Sequence, residues 1–409
     1  MKPVCIVCSF RPLIVLGRCL GFSPISLTCS TAAESCSFAP SMVGILISLV
    51  LNVFLSAIMV GSVVTLAPDW ILERFNYTTS NTISKVFSAI EFIQVFIASM
   101  LLCLNVLQCR QRARALGKIA RYLHHTGPGV ERSITERDEK LLFWMSTRQA
   151  CIIFFLLFGN ILYVYLMWPH QEEQWHYWII IRDFGYGISS LPVLMVGFEV
   201  SLVMTLFRLI AWNLDKQLRK ILYSASQREE IIKEDSVSIF HRIVRIRRSH
   251  GKIIEALMEF NKSVNPQLAF LTCLVMISTV LNCYIAGQYA FNSTQTTIKF
   301  ISTCLRLLMN VTIVLYMIYK ADQVLQMNEL TFRLVTSVST ISLSLDELMQ
   351  LEVLSRQLTK NPPLFSASGI FAFNASIVAK MFSTVITYII VALQFDIRIF
   401  RESIEAVSR

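Results

Sequence analysis

Residues 42–66 read MVGILISLVLNVFLSAIMVGSVVTL, an uninterrupted run without one charged side chain. A helix rises about 1.5 Å per residue, so about 20 such residues cross the hydrocarbon of a bilayer. A helix apolar on every side has no polar face to show to water, and lipid is the medium that accepts it. Similar runs follow at about Ile83–Leu107, Ala150–Trp168, Trp178–Leu209, Leu268–Tyr289 and Phe300–Tyr319. A seventh region, Phe365–Phe395, is polar in its first third and lipid-compatible only after about Ile377, which predicts a bent or two-piece helix there. The expected fold class is therefore all-α: a polytopic membrane protein with seven transmembrane helices.

Composition agrees. The 409 residues are 54% hydrophobic and 16% charged, and the mean hydropathy is +0.57. A soluble domain carries about 25% charged residues. The net charge of +10 would favour nucleic acid only if the basic residues shared a soluble face. They lie instead between apolar runs, so no nucleic-acid partner is expected.

The distribution of those charges orients the chain. Residues 108–146 hold eight Lys and Arg and residues 210–265 hold eleven, whereas 67–82 hold only Arg74 and 169–177 hold none. The positive-inside rule places the two basic segments in the cytosol. The N-terminus is then cytosolic and seven crossings leave the C-terminus extracellular. Sequons at Asn76 and Asn292 fall in loops on the outer side and are the expected glycosylation sites; those at Asn261, Asn310 and Asn374 fall inside or within the bilayer and read as chance matches. A G-protein-coupled receptor has the opposite orientation.

The partition that follows is a cytosolic tail over 1–41, helices one to four within 42–209 and a cytosolic helical extension over 210–265. Helices five and six lie within 266–319, a cytosolic helical segment over 320–374, the seventh helix over 375–395 and an extracellular tail over 396–409. Within 210–265, LDKQLRKILYSASQREEIIKED and IFHRIVRIRRSHGKIIEALMEF have apolar residues at helical spacing, with Pro266 where the chain returns to the membrane. They predict an intracellular helical anchor region. Arg11, Pro12 and Arg18 break the first apolar run, so no cleaved signal peptide is expected. Of eleven cysteines only Cys5 and Cys8 have paired spacing; free thiols on the tail and reversible palmitoylation are the two readings.

No catalytic or metal-binding pattern stands out, and no cofactor is expected. The six histidines lie in loops or beside membrane segments. There is no internal repeat with matching broken helices, as a transporter would show.

The chain's most specific pattern is TYIIVALQF at 387–395, which closes the last apolar run. Thr-Tyr, five hydrophobic residues and Gln-Phe mark the last helix of insect gustatory receptors, a family related to insect odorant receptors. FSASGIFAFNASIVAKMFSTVITY at 365–388 resembles the approach to that motif, and SHGKIIEALMEFNKSVNPQL at 249–268 resembles the family's fifth helix at its start. The fourteen residues after Phe395 are a longer tail than many members have. The resemblance implies a tetrameric, ligand-gated, non-selective cation channel at the plasma membrane of a gustatory neuron's dendrite, its seventh helices lining one pore. Its partners would be a sugar or bitter tastant, permeant cations, membrane lipids, and other copies or related receptor subunits.

On a helix Thr384, Thr387, Val391 and Gln394 form one stripe flanked by Tyr388 and Phe395, which suits a narrow pore that closes by dewetting; an ordinary helix interface uses the same residues. Ionisable groups inside spans are Glu91, Arg182, Asp183, Glu199, Arg306 and Lys380, open to interhelical pairing (Glu91 with Arg306, for example) or to function. Candidates for a ligand pocket in the outer half are Glu91, Tyr163, Asp183, Tyr186, Tyr284, Gln288 and Arg306, whose aromatic and hydrogen-bonding groups have suitable depth. Tyr165 and Tyr289 share that depth, and an aromatic belt at the interface is the alternative.

Overall fold

The structure is a computed structural model that describes residues 6–30, 35–73, 81–125, 136–167, 191–226, 236–291, 297–337 and 343–407. Long helices dominate: α2 (Met42–Glu73), α3 (Asn81–His125), α4 (Glu136–Met167), α5 (Leu191–Ser226), α6 (Ser236–Phe291), α7 (Thr297–Thr336) and α9 (Ala375–Val407), with the short α1 (Arg11–Cys19) before them and α8 (Leu345–Lys360) between the last two. Two small hairpins add to this helical fold, β1 (Ile25–Ser30) with β2 (Ser35–Pro40) and β3 (Ser366–Ala367) with β4 (Phe371–Ala372). Among the described residues α4, α5 and α6 contain stretches long and apolar enough to span a membrane, and α2 and α9 contain shorter ones.

Helices overrun their apolar segments. α6 has 56 residues, about 84 Å of helix, and passes through Pro266, whose missing N–H leaves one backbone carbonyl without its helical donor. The lower ends of α5, α6 and α7 meet α8 in a second core made of Leu218, Ile221, Ile239, Ile243, Ile246, Val335, Leu351, Leu354 and Leu358. α8 is started by a capping box, in which Glu347 N–H donates to Ser344 Oγ at 3.4 Å and Ser344 N–H to Glu347 Oε2 at 2.9 Å. Such a cap contributes about 1 kcal/mol.

The N-terminal tail is built into the bundle. Pro12 sits in the first turn of α1, where its missing N–H is harmless. α1 ends in a Schellman turn: Phe22 N–H donates to Gly17 O at 2.8 Å and Gly21 N–H to Arg18 O at 3.2 Å. Gly21 has φ 72°, the left-handed conformation that this cap requires. Phe10, Leu13, Ile14, Phe22 and Ile25 join the main core, and Leu13 N–H donates to Ser146 Oγ of α4 at 3.2 Å.

The main core centres on α5, where every residue from Leu191 to Phe207 is buried. α5 packs on α4, α6 and α7, and α6 also carries α3, α8 and α9. The crossing of α5 and α7 is close because Gly197 lacks a side chain: a Cβ there would stand 2.6 Å from Ile313 Cγ1.

Candidate functional site

The seventh region departs from the bent helix expected of it. Its polar first third is a hairpin, and α9 is one 33-residue helix that continues past Phe395 to Val407. Ile370 N–H donates to Ala367 O at 2.9 Å across a turn in which Ser368 (φ 51°) and Gly369 (φ 73°) are both left-handed. Phe365, Ala367 and Phe373 are buried. Two side chains of α6 hold the hairpin: Asn261 Nδ2 donates to Leu364 O at 3.2 Å, and its Oδ1 accepts from Ser366 N–H at 3.4 Å. Asn265 Oδ1 accepts from Ser368 N–H. The base of α9 is thus tied to α6 just before Pro266.

Above that anchor α9 touches its own chain along a narrow stripe. Between Ala375 and Val391 only Ile377 and Val385 are buried, and Val378, Met381 and Ile389 are half-buried. The proposed gate residues face away from this stripe. Thr384, Thr387, Tyr388, Val391 and Gln394 are all exposed, Tyr388 at 59%. Thr384 Oγ1 donates back to Lys380 O at 2.9 Å and Thr387 Oγ1 to Ser383 O at 2.8 Å. The backbone of Phe395 lies in α9, and its side chain lies outside the described residues.

The ligand candidates are brought together less fully. Tyr284 is buried on α6. Glu91, Tyr163, Gln288 and Arg306 lie on α3, α4, α6 and α7, but their side chains, and with them a Glu91–Arg306 pair, lie outside the described residues, as do Asp183, Tyr186, Asn76 and Asn292 entirely. Below Tyr284 is a polar lock that the sequence reading missed. Asn282 Nδ2 donates to Ser278 O at 2.7 Å, and Asn310 Nδ2 of α7 donates to Ser278 Oγ at 2.7 Å. Asn310, part of a sequon read as chance, is buried in this contact. Polar residues within apolar helices at one depth are the signal that could have identified it.

Arg112, one of the eight basic residues of 108–146, belongs to a second polar group. α3 continues as helix to His125, and Arg112 is only 1% exposed. Its Nη1 donates to Glu199 Oε2 of α5 at 3.0 Å, and its Nη2 donates to Asn105 Oδ1 at 3.1 Å and to Gln267 Oε1 of α6. Glu199, read from sequence as open to interhelical pairing or to function, is the counter-charge. The group joins α3, α5 and α6 one residue from Pro266.

In the lower core, His250 and Asn328 line a cavity of about 30 Å3 among Leu214, Leu218, Ile246 and Leu354. Burial lowers the His250 pKa to about 4, with the nearby Asn328 amide a smaller, opposing influence. Among the described residues no cluster of His, Cys, Asp or Glu could hold a metal ion.

These features define a polytopic helical membrane protein whose helices extend well beyond their apolar segments. The sequence profile of the 7tm Chemosensory receptor family matches residues 10–399, and the chain belongs to that family. Among solved structures it is similar to the insect olfactory receptor OR5 from Machilis hrabei in complex with eugenol, at 13% identity and TM-score 0.63, with 94% of this chain and 97% of that one covered. A second structure of the same receptor gives 12% identity and TM-score 0.59 over the same shares. A comparison with curated proteins gives no match.

Proposed function

We propose that this chain is a gustatory receptor subunit that acts as a tastant-gated, non-selective cation channel in the plasma membrane of a gustatory neuron's dendrite. Four subunits, identical or related, would place their α9 helices around one pore. The carrying observation is the open face of α9, where Thr384, Thr387, Tyr388, Val391 and Gln394 are left uncovered by their own chain. Hydroxyl and amide groups are poorly placed against lipid, whereas around a water path they are hydrated or paired across subunits. The ligand would be a sugar or bitter tastant held in the outer half of the bundle near Tyr284.

The test is a tastant panel on cells expressing this chain alone and together with related subunits, read by calcium entry and by whole-cell current with G-protein signalling blocked. Current that persists under the block, with little selection among monovalent cations, is expected. Responses that vanish under the block would reject a channel. The second reading is an odorant-type subunit, favoured by the likeness to a eugenol-bound olfactory receptor. Volatile aromatic compounds in the same panel separate the two.

A further inference from the structure

At the opposite end of the membrane segments from Gln394, three helices bring cations together. Arg148 lies on α4 just before the apolar run from Ala150, Arg208 on α5 just after its fully buried stretch, and Lys320 on α7 directly after Tyr319. α5 packs against both α4 and α7. On α7, Tyr316, Tyr319, Lys320 and Gln323 recur at i, i+3, i+4 and i+7 and share one face. Arg148 hydrogen-bonds Tyr316. Lys320 Nζ stands 5.4 Å from the Tyr316 ring centre and 5.8 Å from that of Tyr319, and Arg208 Nη1 donates to Gln323 Oε1 at 2.7 Å.

No carboxylate among the described residues lies within ion-pair distance of these three cations. Other basic side chains of the same end do have one: Lys118 meets Glu255 and Glu259, Arg219 meets Asp215, Arg333 meets Glu329 and Arg356 meets Glu352. Asp322, next along α7, is engaged by Gln326 at 2.7 Å. Both arginines are close enough for their charge to act on Lys320, so the cluster repels itself. An anion of several charges placed between the helices would reverse that sign. Around the cluster Trp144, Trp212 and Tyr319 are exposed, as aromatic residues at the headgroup level are. The amide nitrogen of Gln323 adds a neutral donor suited to phosphate or inositol oxygens.

We propose that Arg148, Arg208 and Lys320 form a binding site for a phosphoinositide headgroup of the cytosolic leaflet. Basic pockets between helices at that leaflet are the usual form of such sites. The proposal rests on the orientation that puts the basic segments in the cytosol and is independent of whether α9 lines a pore.

The test uses the full chain in phosphatidylcholine nanodiscs titrated with phosphatidylinositol 4,5-bisphosphate, with bound lipid counted by native mass spectrometry. The variant R148Q/R208Q/K320Q should weaken binding at least tenfold, and the charge-conserving R148K/R208K/K320R should stay within about threefold of the parent. R242Q/R245Q/R248Q, an equal charge loss on α6, should leave binding unchanged, and soluble inositol trisphosphate should compete poorly. Equal losses in both glutamine variants, no loss in the first, or soluble headgroup binding as tightly as the lipid would overturn the assignment. If the first variant does not fold, a photoreactive phosphoinositide on the parent protein decides. Labelling of 316–323 supports the site, and labelling confined to other segments removes it.

Discussion

α5 and α9 are both largely apolar helices, yet their surroundings are opposite. Along α5 every residue from Leu191 to Phe207 is buried, including Ser201 and Thr205, whose hydroxyls donate to Gly197 O and Ser201 O one turn back at 2.7 and 2.8 Å. Along α9 two residues in seventeen are buried between Ala375 and Val391. α5 is the axis around which the chain packs. α9 is fixed at its base by the Asn261–Asn265 clamp, and from there to Val391 it touches its own chain only along a narrow stripe. Substitutions in α5 should therefore act on folding, and those on the outer face of α9 on whatever that face meets.

The largest effect is expected where α5 carries charge. Arg112→Met would strand Glu199 in the bundle, and removing one partner of a buried pair costs about 3–5 kcal/mol. Surface labelling should show near-complete loss of protein. R112M/E199L, which removes both charges, should recover most of it, because replacing a buried pair by apolar residues is often close to neutral. A double variant as poor as the single one would mean that the pair does more than cancel charge.

His250 comes next, in the lower core that closes around the end of α5. Its pKa falls from 6.5 to about 4, so below pH 6.5 the unfolded chain takes up a proton that the folded chain refuses. Stability present above pH 6.5 is lost as pH falls to about 4, by at most about 3 kcal/mol. The thermal midpoint of purified protein should fall between pH 7 and 5, and His250→Leu should flatten that slope. A parallel slope in the variant would assign the acid sensitivity elsewhere.

Gly197→Ala should be milder. Its new Cβ would meet Ile313 Cγ1 at 2.6 Å, and overpacking of this kind costs about 1–3 kcal/mol. The thermal midpoint should drop, and the addition of Ile313→Ala should return part of the loss. An unchanged midpoint would show that α5 and α7 can separate without penalty.

The sequence made the membrane class legible because length and apolarity alone select spanning helices. It also made the motif at 387–395 legible, since TYIIVALQF is specific without any contact being known. Arg112 was not legible in the same way: five basic residues follow the second apolar run, and only tertiary packing distinguishes the one that turns toward Glu199 from those that stay in water. The hairpin at 366–372 was misread because its Ser and Gly content resembles a weakened helix, whereas Ser368 and Gly369 adopt a turn that α6 side chains hold. Of the ligand candidates, Tyr284 alone has a described side chain, buried on α6.

The smallest effect on folding, and the one that most sharpens the contrast, is expected on α9. Gln394 is exposed and Tyr388 is 59% exposed, and surface substitutions away from special features stay within about 0.5 kcal/mol. Gln394→Ala should therefore leave surface protein and thermal midpoint unchanged. If four copies of this face surround a pore, Gln394 is among the groups that permeating cations meet, and its loss should shift permeability ratios more than agonist sensitivity. Phe395→Ala should raise ligand-independent current, because an aromatic ring that narrows a pore holds it closed by excluding water. The alternative is that this face only packs against other helices. Both substitutions would then lower surface protein, as a change in α5 does, without altering the current that remains. Basal current and permeability ratios, each normalised to surface protein, separate the two. Normal surface levels with unchanged current and permeability would remove 387–395 from the gate while leaving the buried half of the comparison intact.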